Sequence, residues 1–354
     1  ENDHESTVAA GTGRSSTGPV RGRSHGRVLR TVEGMRQNTY PRPAPPEGPV
    51  AAAVGTAFRQ YGVLSWPQAR AHGVRHCDVR RLRRGGAWGS PYPQVYSVRS
   101  LLPSPGTDDM FLSVVMAAQL ATGPRAFAGG ETAARLWGMR GLRRWDGREV
   151  HMVIPARGTQ RHVHGITLHT WNVPEEEVVT RDDGIRLTTP RRTLADVLTR
   201  VDRDTAVCLM DSSLNQGLVD DEDTEWIEET NRGRRGCVKV RAWWPLADAR
   251  AQSPLETRVR LVCVDGGLPP TALQQGFTDG SGSLIAVVDF WWEERRLIGE
   301  ADGIGPHSTP QALLKDRERQ NALQLWYPDV RMVRFTWRDL QRPGYILSSI
   351  TRAG

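Results

Sequence analysis

Two carboxylates in a short hairpin carry the strongest chemical signal in this 354-residue sequence. Folding Leu284 to Ala301 about a loop centred on Glu294 and Arg295 sets Asp289 directly opposite Glu300, and strand alternation puts Asp302 on the same face. Opposed carboxylates repel unless something offsets their charge. A divalent cation does so, and an oxygen-only donor set favours Mg²⁺ or Mn²⁺. Asp289 also interrupts the run Leu284-Ile-Ala-Val-Val-Asp-Phe-Trp-Trp292, which reads as buried on both faces, where a carboxylate needs a strong partner. The plainer alternative leaves these acids at exposed strand ends, and the turn lacks the Gly or Asn that would pin its register.

Other candidates are weaker. Glu256 stands three residues after Ser253, the N3 place of a capping box, so a structural role competes with metal binding. His307 suits a general base, a DNA contact or plain exposure. Asp316, Arg317 and Arg319 fit an ordinary charged helix face, with Arg319 the best placed to bind phosphate. His151, His162, His164 and His169 crowd one region without an acidic or Cys partner nearby. No dinucleotide or Walker-type phosphate loop is present, and no Ser or Cys nucleophile motif.

A second signal is electrostatic. Residues 58–99 hold eight arginines against one acid, Asp78, which matches the whole formal charge of +7. The heart of this segment is a helix expected from His76 to Arg84, with Val79 and Leu82 on one face and Arg80, Arg81 and Arg84 opposite. With Arg75 before it, such a helix has the footprint of a phosphate-backbone contact on double-stranded DNA.

The elements that must position these groups fall into four stretches. Residues 1–50, rich in Gly, Ser, Pro and Arg, read as a disordered arm. Residues 51–100 read as a winged helix-turn-helix: an Ala-rich helix, a second helix capped by Ser65 with Gln68, the basic helix, and a hairpin from Trp88 to Val98. Residues 101–250 are a mixed middle domain whose acidic run at 220–229 reads as a solvated helix face. From 251 to 345 the order is helix, three antiparallel strands, helix and strand. The expected class is α/β in the broad α+β multidomain sense. Cys77, Cys208, Cys237 and Cys263 are scattered, against a disulfide framework or a zinc site. No apolar run approaches membrane-spanning length, and Glu1 to Glu5 lack the look of a secretory signal, so a soluble cytoplasmic protein is expected.

Two family resemblances bear on these pieces. Tyr61-Gly-Val-Leu-Ser-Trp-Pro-Gln-Ala-Arg70, Val95-Tyr-Ser-Val98, Gly130-Glu-Thr-Ala-Ala134 and Gly184-Ile-Arg-Leu-Thr-Thr-Pro-Arg-Arg-Thr-Leu-Ala-Asp196 resemble AbiEi-type antitoxins over about residues 55–215. Ser253-Pro-Leu-Glu-Thr-Arg258, Val288-Asp-Phe290, Glu300-Ala-Asp-Gly303, His307, Asp316 with Arg319, and Arg334-Phe335 resemble the Vsr-like branch of the PD-(D/E)xK nucleases. The second resemblance implies a restriction-endonuclease-like three-layer unit with Glu256, Asp289, Glu300, Asp302 and His307 as catalytic candidates. Of these, Asp289, Glu300 and Asp302 would hold Mg²⁺ or Mn²⁺. The lysine of the wider family's E-x-K element is replaced here by Asp302, so Lys315, His307 or the metal would have to activate the attacking water. A metal-dependent DNA endonuclease is one expectation. A non-catalytic regulator partnered with a cognate toxin protein is the other.

Overall fold

The computed structural model describes residues 48–154, 163–303 and 310–353. Within them the class is α+β, with three separate sheets and several hydrophobic cores.

The first segment is built by local capping. Helix α1 (Pro49–Arg59) starts at a proline in its first turn. Strand β1 (Val63–Ser65) leads straight into α2 (Trp66–Ala71), where the Ser65 N–H donates to Gln68 Oε1 at 2.8 Å and the Gln68 N–H to Ser65 Oγ at 3.4 Å. This is the reciprocal box that the spacing predicts. Helix α3 (His76–Arg84) follows, then β2 (Trp88–Tyr92) and β3 (Val95–Val98), which form an antiparallel sheet in the order β1-β3-β2. Val79, Trp88, Tyr96 and Ala57 share its core. Gly62, at φ 87°, lies so close to Leu101 that a Cβ there would approach its carbonyl oxygen to 2.9 Å.

The middle segment opens with α4 (Asp108–Thr122), capped by Thr107, which buries Val115, Met116 and Ala118 against a mixed five-stranded sheet. That sheet comprises β4 (Phe127–Ala128), β5 (Val150–Val153), β6 (Ile166–His169), β7 (Val178–Thr180) and β8 (Arg186–Thr188), with α5 (Gly130–Leu136) after β4. Four helices complete it: α6 (Pro190–Leu198), α7 (Arg203–Asn215), α8 (Asp221–Asn231) and α9 (Cys237–Trp243). The acidic run lies on α8, which buries Ile227 and turns most of its charges outward. Asp196, fully buried, is held between Arg192 Nε at 2.8 Å and Arg234 Nη2 at 2.7 Å.

The last segment runs α10 (Pro254–Asp265), β9 (Ala272–Thr278), β10 (Leu284–Trp292), β11 (Leu297–Ala301), α11 (Pro310–Trp326), β12 (Arg331–Phe335) and α12 (Pro343–Ala353). Its sheet has the order β12-β11-β10-β9, with β11 and β12 parallel and the other pairs antiparallel. Leu255 and Val259 of α10 and Ile346 and Ile350 of α12 pack with Phe290, Trp292 and Phe335. Leu323 of α11 packs with Val288, Trp291 and Ile298, so helices cover both faces of the sheet. The segment boundary expected at 345 falls inside α12, whose Ile346 and Ile350 are fully buried.

Strict alternation fails at a register shift between Leu284 and Ala286 and again at the chemistry. Ala286 and Val288 face the α11 side, but Phe290 and Trp292 face α10, so the strand changes parity across Asp289. Opposite, β9 changes parity across Gln274, a non-glycine residue at φ 52°. Burial of the strand on both faces is also narrower than expected, because Leu284 is 63% exposed and Val287 38%.

Candidate functional site

The hairpin pairs Phe290 with Gly299, Trp291 with Ile298 and Trp292 with Leu297, the register that symmetry about the Glu294-Arg295 turn predicts. One step further the strands part. The Asp289 carboxylate enters the gap, and its Oδ2 accepts the Ala301 N–H at 2.7 Å. Its Oδ1 accepts the side-chain amide of Gln274 at 3.1 Å.

The same amide nitrogen donates to Glu256 Oε2, also at 3.1 Å. Glu256 is held at the start of α10, where Ser253 Oγ accepts its N–H at 3.2 Å and its carboxylate accepts the Gln252 N–H at 2.8 Å. The reverse arm of the expected box thus reaches one residue past the cap. Burial raises the Glu256 pKa, and the Asp289 charge raises it further.

Glu300 is 5% exposed, and its Oε1 has no hydrogen-bond partner. Arg319 Nη2 stands 3.5 Å from that oxygen while Nη1 donates to the Val287 carbonyl at 3.2 Å. Across the parallel pairing Glu300 faces Arg334. Burial pushes the Glu300 carboxyl up to about 7; the arginines Arg319 and Arg334 oppose that rise, and the Asp289 and Asp302 carboxylates add to it. Asp302 is engaged elsewhere, with Oδ2 3.1 Å from Arg334 Nη1. His307 lies outside the described residues, as do the side chains of Lys315 and Asp316.

The structure thus gathers Asp289, Glu300 and Glu256, which the sequence singled out, with Gln274 and Arg334, whose contacts here the sequence did not signal. A neutral residue in a strand gives no charge signal, and the position of Gln274 opposite Asp289 emerges only from the β9–β10 register. For a hard divalent cation the donors Asp289 and Glu300 fit in chemistry: oxygen-only, with one buried oxygen unsatisfied, and Mg²⁺ is commonly held by one or two carboxylates. Among the described residues no group of three His, Cys, Asp or Glu is arranged around a metal position, and Asp302 directs its carboxylate to Arg334.

The basic helix presents a second site. Arg75 and Arg81 both bind Asp78, at 3.2 and 3.6 Å. Arg80 and Arg84 instead line an open groove of about 540 Å³ together with Arg83, Arg99 and His76. Among the described residues none of these four arginines has an acidic partner within ion-pair distance. Arg83 and Arg99 were not singled out from sequence. Arg99 lies beyond the hairpin and joins the groove only through the fold.

The histidine crowd resolves into a stack rather than a ligand set. His151 Nδ1 and His169 Nε2 are 2.9 Å apart, and His169 lies on Trp171 with ring centroids 4.1 Å apart. Burial is the main force lowering the His169 pKa to about 4. His162 lies outside the described residues.

No protein-family model matches the chain. Two uncharacterized proteins of Mycobacterium tuberculosis, from strains CDC 1551 / Oshkosh and ATCC 25618 / H37Rv, are each 35% identical to it over 144 residues. The match takes in 41% of this chain and 53% of each relative, so it spans about half the length of the curated relatives. Among the described residues no helix is long and apolar enough to cross a membrane.

Proposed function

We propose that the chain is a cytoplasmic DNA-binding protein whose last segment is a metal-dependent endonuclease-like unit. The observation that carries this reading is the buried Glu300 carboxylate, with one oxygen unsatisfied, beside Asp289 where β10 and β11 separate. The basic groove on α3 supplies the electrostatic footing for double-stranded DNA, and the winged-helix resemblance of that segment agrees with it.

Asp289 and Glu300 would hold the cation. Bound there, Mg²⁺ or Mn²⁺ supplies charge stabilisation at a phosphoryl oxygen and acidifies the attacking water. Gln274 and Glu256 position Asp289 from the α10 side, and Arg334 holds Asp302 at the rim. Arg319, already directed at Glu300, is placed to meet a phosphate oxygen that displaces part of that ion pair.

One observation favours a non-catalytic regulator with a toxin partner. Arg319 and Arg334 already compensate Glu300 and Asp302, which is how a binding fold retains acids without a metal. Incubating the protein with supercoiled plasmid in Mg²⁺ or Mn²⁺, with EDTA controls, separates the two. Cation-dependent nicking or linearisation is expected. A wild type inert on duplex and single-stranded DNA with either metal would favour the regulator.

A further inference from the structure

The middle segment holds a concavity that the carboxylate site and the basic helix do not use. It lies where the connection between α6 and α7 faces α9 and has a volume of about 650 Å³. Small-molecule sites fall at roughly 300–1,000 Å³. Five cations line it, Arg200, Arg203, Arg234, Arg235 and Lys239, against one acid, Asp202.

The local partners do not balance this charge. Arg234 is held by Asp196 at 2.7 Å, and Arg203 clamps Asp265 through two bonds of 2.9 and 2.6 Å. Asp202 is occupied in capping α7, accepting the Thr205 N–H at 3.0 Å and its hydroxyl at 2.9 Å. Arg200, Arg235 and Lys239 are exposed and have no acidic partner among the described residues. Three like charges converging on one concavity raise the local potential and favour an anion.

The walls are fixed and partly apolar. Gly236 begins α9 at φ 95°, and a Cβ there would lie 3.0 Å from the Thr199 carbonyl oxygen, so α9 is pressed against the end of α6. Arg200 is held over the Trp171 ring at 4.8 Å. Half-buried Trp243 contributes an aromatic surface to the lining. This concavity is more enclosed than the open groove on α3, which suits a small ligand better than a duplex.

We infer that the groove binds a nucleoside phosphate, with the phosphate at Arg235 and Lys239 and the base against Trp243. Isothermal titration of the full chain with AMP, inorganic phosphate and adenosine tests it, using the double variant Arg235→Ala/Lys239→Ala. Arg241→Ala, on the same helix outside the groove, is the control. AMP should bind saturably, inorganic phosphate should compete more weakly, and adenosine should bind weakest. The double variant should lose about tenfold in AMP affinity, about 1.4 kcal/mol, with thermal stability and the control unchanged. Absence of saturable binding, or AMP affinity unchanged in the double variant, overturns the site. Phosphate binding as tightly as AMP overturns the role given to Trp243. Displacement of AMP by a duplex oligonucleotide overturns a separate small-ligand site and makes the groove part of a nucleic-acid track.

Discussion

Gln274 and Asp289 face each other across β9 and β10 at the one place where both strands change the face they bury, and the Gln274 amide ties Asp289 to Glu256. Two carboxylates share one neutral donor, held on a backbone that L-residues rarely adopt.

Replacing Gln274 with Leu should therefore destabilise the protein by roughly 1–3 kcal/mol, the cost of leaving partly buried acceptors without their donor. Urea denaturation measures it. A change within about 0.3 kcal/mol would mean that water replaces the amide.

Stability should fall with rising pH through Glu300. Below its ordinary value of 4.5 the folded and unfolded chains both carry the proton. Above 4.5 the unfolded chain loses it first, so stability declines until about 7 and then levels off. The loss approaches roughly 3 kcal/mol. In EDTA buffer, Glu300→Gln should lose less stability than wild type between pH 5 and pH 8. Identical losses would place the titration elsewhere, with Glu256 the next group to test.

A bound cation would take the place of that proton. Millimolar Mg²⁺ or Mn²⁺ at pH 8 should raise the thermal midpoint of the wild type, EDTA should reverse the rise, and Asp289→Asn should abolish both the rise and plasmid cleavage while DNA affinity holds. Cleavage persisting in Asp289→Asn would remove Asp289 from the metal site. Glu256→Gln keeps an oxygen for the Gln252 N–H, so its stability should change by less than about 1 kcal/mol.

DNA binding should depend on groove arginines more than on those paired to Asp78. Each lost phosphate contact lowers the slope of log affinity against log salt by about 0.9. Arg80→Ala/Arg84→Ala should reduce it by about 1.8, and Arg75→Ala by much less. Fluorescence anisotropy between about 50 and 200 mM salt reads the difference, and an unchanged slope in the double variant would take α3 out of the interface.

What the sequence made legible was mostly local. The Ser65–Gln68 box, the span of α3 and the register around Glu294 and Arg295 follow from spacing and turn symmetry alone. What stayed hidden depended on distant strands: Arg334 reaches Asp302 from β12, and Gln274 meets Asp289 only through the β9–β10 register. The break in alternation was illegible because a period-two pattern assumes regular φ and ψ, and Gln274 departs from them. Helix α12 was missed because Arg342-Pro343-Gly344 offers no Ser, Thr, Asp or Asn cap, although Pro343 suits its first turn.

The Ala301 amide, which donates to a side-chain oxygen rather than to a backbone carbonyl, gives the site a spectroscopic handle inside its own sheet. A proton bonded to a carboxylate is shifted by the charge around that carboxylate, so the Ala301 ¹H–¹⁵N resonance should move when Asp289 coordinates a cation. Its hydrogen-exchange rate reports how often the two strands open further at that point. Solution NMR on the isotopically labelled chain could thus follow ligation at Asp289 without any substrate being turned over.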